Sequence, residues 1–317
     1  MIEHILNQNP LLFNGIVIIL SLAIVSKSAD LLVNSISNYA RKIGISDYLI
    51  GFLVVSIGTA TPELIAAITG AIINQGAIVF GTILGSNLFK IPLLGLVLLI
   101  AVRIRTQQNT GGNAPIVTFF LVILPLFLVV DGNLSRPEGI VLIIAFFLYI
   151  TKLWQSEGEL GKIKKDISIR KIWKDAIIFI LSLAALLLSA RWLVLSSVEI
   201  SKILGISPFF IGLIVIGIGA STPELTVQVK SIIRHHKNIA FGNVLGSLVA
   251  NSAFVLGIVA IIKPITINPS IIITTSIFMS IGLLYILLIM GKRYVNWKQG
   301  LFLIMLYVLF LLTESIL

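Results

Sequence analysis

Two glutamates, Glu63 and Glu224, each follow a proline inside a long run of residues that is otherwise almost free of charge. An ionised carboxylate in hydrocarbon costs several kcal/mol, about 2.5–3.5 or more for a charged residue at a helix centre, so it persists only against a partner or an ion. The prolines sharpen the point. Pro62 and Pro223 have no N–H, so the carbonyls of Gly58 and Gly219, four residues back, lose their helical partners. Each break sets bare carbonyl oxygens one turn from a carboxylate. Carboxylate, carbonyl and hydroxyl oxygens together form the ligand set that hard cations such as Ca²⁺ and Na⁺ prefer. The chemistry these residues point to is coordination of a cation.

The surroundings of both glutamates are written twice. A shift of 161 residues lays Gly58 to Lys90 over Gly219 to Asn251 without a gap. SADLLV faces SARWLV, GISDYLIG faces GISPFFIG, TPEL faces TPEL, and FGTILGS faces FGNVLGS. The chain is two copies of one unit. Neither copy holds an HExxH motif, a nucleophile with a base partner or a second carboxylate cluster, so an intramembrane enzyme has no support.

Paired G-x-x-[ST]-P-E-L and G-x-x-x-G-S segments in two halves resemble the two alpha repeats of the sodium/calcium exchanger family, within the larger cation/calcium antiporter superfamily. The resemblance covers most of each half. It implies a prokaryotic-type secondary antiporter that exchanges calcium for sodium by alternating access, functional as a monomer and without a resident cofactor. The ligand set it implies is Glu63 and Glu224 with Thr59, Ser86, Ser221, Ser247 and Asn251. Exchange of calcium or another divalent cation for protons is the alternative. A cation channel using the same carboxylates is a third reading.

Several positions vary on the motif. Thr59 lies four residues before Glu63 and shares its helix face, but its counterpart is Ala220, so one hydroxyl of the family's set is missing. Ser221 follows where the first half has Ala60, and the halves offer complementary oxygens. Hydroxyls bonded back to their own helix carbonyls are the simpler alternative. Ser86 and Lys90, like Ser247 and Asn251, are spaced i, i+4 and project from one face; the resemblance sets those faces against the glutamates. Gly81, Gly85, Gly242 and Gly246 form GxxxG spacings expected to serve close helix packing.

Relatives carry an amide or an acid where this chain has Lys90, and many carry an acid where it has Asn251. Lys90 sits about 18 Å from either end of its span at 1.5 Å per residue, too deep for its amine to reach bulk water. It either pairs with Glu63 and Glu224 as a tethered cation or faces a water-filled vestibule. At about 4 Å and an effective dielectric of about 20, a carboxylate attracts it by about 4 kcal/mol, enough to compete with a monovalent ion. Asp30 and Arg191 occupy equivalent positions in the two halves, and either gate the site as an ion pair or pair structurally. His235 and His236 stand in a basic turn and read as a solvated loop.

The elements that must position these residues are membrane spans. With 57% hydrophobic and 11% charged residues and a mean hydropathy of +1.09, the chain has too few charges to cover a soluble surface. Apolar runs near 11–36, 49–73, 78–101, 116–131, 138–154, 176–201, 208–233, 239–262, 270–290 and 300–316 predict an all-α integral membrane protein of ten helices, five per half. Residues 1–154 form the first repeat, 155–175 a polar linker and 176–317 the second. An odd number of spans per repeat inverts the second half relative to the first. With the N-terminus outside, sixteen lysines and arginines fall in the cytoplasm and only Arg136, Lys202 and Lys263 outside. That distribution predicts a multi-pass plasma-membrane protein with both termini outside and a cytoplasmic linker. It also explains the net charge of +10 as topology rather than as a nucleic-acid surface. The first residues lack a basic stretch and a small-residue cleavage site, so the first apolar run is expected to be retained. There is no cysteine and hence no thiolate metal site.

Overall fold

The computed structural model describes residues 9–43, 60–101, 103–105, 114–157, 169–221, 244–290 and 294–316. In the first half these form α1 (Pro10–Ile43), α2 (Thr61–Ile72), α3 (Gly76–Ala101), α4 (Ala114–Leu128) and α5 (Arg136–Glu157). In the second half they form α6 (Ile169–Leu204), α7 (Pro208–Ala220), α8 (Val244–Ile262), α9 (Pro269–Met290) and α10 (Trp297–Ile316). Six of these, α1, α3, α6, α8, α9 and α10, contain a stretch long and apolar enough to cross a membrane, whereas α2, α4 and α7 are shorter apolar helices. The protein is a mostly helical, multi-pass membrane protein. Helices α5 and α6 run on to Glu157 and back to Ile169, so both enter the stretch read as a polar linker.

The helices lie in an inner and an outer layer. The span in α3 is 89% buried and that in α8 78%, against 22% for α1 and α10. Outer residues such as Ile19, Phe127 and Leu188 expose more than 60% of their surface. A face of large apolar side chains is stable against lipid and not against water. The longest lateral contact in the outer layer is between α1 and α6, the first helix of each half.

Small residues decide how α3 packs. A Cβ added to Gly81 or Gly85 would collide with the backbone oxygens of Phe209 and Leu213 in α7. The approach is reciprocal, since a Cβ on Gly217 would stand 2.8 Å from the Ser86 nitrogen. Backbones this close hold the two helices in a fixed register, and that register sets Ser86 beside the end of α7. The packing role expected of Gly81 and Gly85 is therefore what these residues perform; Gly242 lies outside the described residues.

A tight turn returns the chain from α2 to α3. Asn74 takes a left-handed conformation (φ 62°) and the Gln75 N–H donates to the Gly70 carbonyl at 2.8 Å, closing the helix end. Pro62 stands in the first turn of α2, where its missing N–H costs nothing, and the first helical bond runs from Leu64 N–H to the Ala60 carbonyl at 2.9 Å.

Four short strands give the duplication a structural signature. β1 (Arg103–Arg105) pairs antiparallel with β4 (Tyr294–Asn296), and β2 (Asn133–Leu134) with β3 (Ile265–Thr266). Leu134 faces Ile265 in one ladder, and Ile104 faces Val295 in the other. The 161-residue shift carries Leu134 onto Val295 and Ile104 onto Ile265, so each ladder is the image of the other. Each ladder joins one half of the chain to the other, as a two-fold exchange of the halves requires.

Candidate functional site

Glu63, Ser86, Ser221 and Asn251 converge from four helices. Glu63 comes from the first turn of α2, Ser86 from the middle of α3, Ser221 from the end of α7 and Asn251 from α8. All four are fully buried. Ser86 Oγ donates to Glu63 Oε1 at 2.9 Å, lies 2.8 Å from Ser221 Oγ and accepts from Asn251 Nδ2 at 3.0 Å. Ser221 Oγ also stands 3.4 Å from Glu63 Oε1. Three of the four contacts to Ser86 and Ser221 cross between the halves of the chain.

The local backbone explains the convergence. Helix α7 is wound as a π-helix over Gly212–Ile216 and ends at Ala220, which leaves Ser221 at its tip. Helix α8 is likewise a π-helix over Ala250–Val255, the segment that carries Asn251 and Ser252. Single π turns widen a helix and are frequent at functional sites. Ser252 Oγ accepts from Asn87 Nδ2 at 2.8 Å, and Asn87 Oδ1 accepts from Lys90 Nζ at 3.4 Å. The site thus continues along α3 from Ser86 to Lys90, which is itself fully buried.

The proton balance of this cluster shows what it can hold. Ser221 Oγ donates to the Gly217 carbonyl at 2.8 Å, so its single proton is used there. Ser86 has one proton for both Glu63 Oε1 and Ser221 Oγ. The two hydroxyl protons are shared among the oxygens of Glu63, Ser86, Ser221 and the Gly217 carbonyl, which lie 2.8–3.4 Å from one another along the chain of contacts. Asn251 Oδ1 is a further buried acceptor without a hydrogen-bond partner among the described residues. Carboxylate, hydroxyl and amide oxygens gathered in one buried cluster suit a hard cation.

Glu224 and Thr59, with Pro223, Gly58, His235 and His236, fall outside the described residues. Ser247 is buried, but its hydroxyl donates to the Val244 carbonyl of its own helix at 3.2 Å. Ser221 makes the same kind of backbone bond and still reaches the site, so the two readings of that hydroxyl hold together. Asp30 is half-buried on α1 while Arg191 is exposed on α6, and the structure brings Arg191 into no ion pair among the described residues. Equivalent positions in two repeats share a local environment, which does not put them in contact. The ion pair that does form on α6 joins Lys202 to Glu199 at 2.7 Å, on the exposed surface.

Asn87 and Ser252 are the site residues that the repeated motif does not reveal. Their images are Leu248 and Ile91, so a comparison of matching positions passes over them. The signal was a mismatch: Ser86-Asn87 in one copy against Ser247-Leu248 in the other.

Comparison with known proteins gives one consistent family. The profile described as sodium/calcium exchanger protein matches residues 13–155 and 174–315. Among relatives, the sodium/calcium exchanger MaX1 of Methanosarcina acetivorans is 26% identical, with 94% of this chain and 97% of that protein covered. The inner membrane protein YrbG of Escherichia coli is 31% identical, with 80% of this chain and 81% of that protein covered. Among solved structures, the sodium-calcium exchanger NCX_Mj soaked with 2.5 mM Na⁺ and 10 mM Sr²⁺ covers 95% of this chain and 98% of its own, at 23% identity and a TM-score of 0.69. That likeness is one of fold.

Proposed function

The chain belongs to the sodium/calcium exchanger protein family, and on that footing we propose that it is a secondary active antiporter exchanging calcium for sodium at a mid-membrane site. Glu63 supplies charge and Ser86, Ser221 and Asn251 supply neutral oxygens. Glu224 and Thr59 complete the set, and Ser247, whose hydroxyl is bonded to its own helix, contributes least. The observation that carries this reading is the convergence of the buried Glu63 carboxylate with the Ser86 and Ser221 hydroxyls and the Asn251 amide from four helices and both halves of the chain. A bound cation balances the charge of a carboxylate held away from water.

Ten spans in two inverted five-helix repeats, with both termini outside and residues 155–175 in the cytoplasm, make the architecture. Rocking of α1 and α6 against the inner helices exposes the site to one side and then the other. The paired strand ladders and the long α1–α6 contact support this arrangement. A cysteine introduced at position 164, in a chain that has none, should resist a membrane-impermeant thiol reagent applied to intact cells. Labelling from outside would reverse the orientation.

Exchange against protons is the second reading, because a proton on Glu63 would satisfy the same oxygens. Flux of radiolabelled calcium in proteoliposomes, with one gradient imposed at a time, separates the two. Uptake driven by an outward sodium gradient at equal pH supports sodium exchange. Uptake driven only by a proton gradient supports the second reading, and uptake that needs no counter-ion identifies a channel.

A further inference from the structure

Glu63 and Lys90 are the two fully buried charged side chains among the described residues. Both belong to one polar chain along α3. Ser86, which bonds Glu63, stands one helical turn before Lys90 on the same face.

Around Lys90 the duplication fails in a concerted way. The image of Lys90 is Asn251, that of Asn87 is Leu248, and that of Ser252 is Ile91. The three images are an amide and two aliphatic side chains, whereas Lys90 and Asn87 from the first half with Ser252 from the second give an ammonium, an amide and a hydroxyl. These three are bonded in series, Lys90 Nζ to Asn87 Oδ1 at 3.4 Å and Asn87 Nδ2 to Ser252 Oγ at 2.8 Å. None is more than 2% exposed. Buried polar groups in place of leucine and isoleucine destabilise the interior unless they are bonded to something that needs them. Ser252 holds the nitrogen end of the Asn87 amide, which turns its oxygen toward the lysine. The pair is a mount for an ammonium.

We propose that the Lys90 ammonium is a resident monovalent cation of the transport site, and that the protein therefore carries one fewer mobile monovalent ion per calcium than the same site with an amide at position 90. This rests on the exchange reading. The buried Glu63 carboxylate gives the site negative charge, and one fixed positive charge offsets what one mobile monovalent ion would otherwise offset. In a low-dielectric interior that fixed charge also repels a monovalent ion from the oxygens nearest to it.

The test is the reversal potential of calcium flux in proteoliposomes of the full-length protein at set sodium and proton gradients. Wild type is compared with Lys90→Asn, Lys90→Met and Lys90→Arg. Wild type and the charge-retaining arginine variant should share one coupling ratio, and both neutral variants should use one more monovalent ion per calcium. Equal ratios in all four proteins would overturn the proposal and favour a lysine that is merely solvated. If the neutral variants carry no flux, displacement of radiolabelled calcium by sodium from the detergent-solubilised protein reads the same quantity. Its Hill slope should rise by about one from wild type to Lys90→Met, and an unchanged slope would overturn the proposal. Wild type that binds calcium but carries no gradient-driven flux would refute the exchange reading instead, and the slope would still decide the role of Lys90.

Discussion

The two halves share a scaffold but not a chemistry. Helix α3 and its counterpart α8 both carry the FG-x-x-LGS motif and both lie in the inner layer. Yet α3 runs as an unbroken α-helix through residues 89–94, whereas the image of that segment, Ala250–Val255, is a π-helix. From the first half come the carboxylate Glu63, the hydroxyl of Ser86 and the ammonium of Lys90. Among the described residues the second half answers with Ser221, Asn251 and Ser252, which are neutral. Duplication preserved what a transporter needs for two-fold packing, namely glycines and small hydroxyls. The charge at Lys90 has only an amide, Asn251, as its image, and ion stoichiometry depends on charge.

The scaffold is where a substitution should do the most damage. A leucine at Gly85 has no room against the Leu213 backbone of α7, and overpacking of this kind costs about 3 kcal/mol or more. Gly85→Leu is expected to abolish recovery of monodisperse protein in detergent. Recovery at the wild-type level would show that α3 and α7 do not pack as described.

The asymmetry of the centre can be sharpened with two matched serines. Ser86→Ala removes contacts to Glu63, Ser221 and Asn251 together, and a bond to a charged group is worth about 1.5–3 kcal/mol. The calcium KM should rise at least about tenfold. Ser247→Ala removes a hydroxyl bonded to its own helix and should change KM by about twofold or less. Equal effects at the two positions would show that the halves contribute alike. The smallest effect is expected at the link between the halves near the surface, where half-buried Lys263 donates to the Ile72 carbonyl at 3.3 Å. Lys263→Ala should lower thermal stability by less than about 0.5 kcal/mol, with transport unchanged.

Much of this was legible in the sequence because burying a charge is expensive. A glutamate after a proline in an apolar run needs a partner, and the second copy of TPEL made chance an inadequate explanation. The convergence of Glu63, Ser86, Ser221 and Asn251 follows from that reasoning. The contact of Asn87 with Ser252 does not, because it joins residues whose images are apolar and so lies outside the logic of a repeat. The π segments also leave no periodic trace, since one extra residue in a turn is absorbed by a helix that is apolar on every side. Arg191 marks a different limit of the sequence. Its equivalence to Asp30 was plain, but equivalence under a two-fold relation fixes environment rather than proximity.

The most direct test of a cation site centred on Glu63 is equilibrium binding of radiolabelled calcium to the purified protein, wild type beside Glu63→Gln. Gln keeps the shape of the side chain and removes its charge. Affinity should fall by at least about a hundredfold, or about 2.8 kcal/mol, while the variant elutes as a folded protein like wild type. Calcium binding within about twofold of wild type would contradict the account, because the buried carboxylate would then be serving the fold and not the ion.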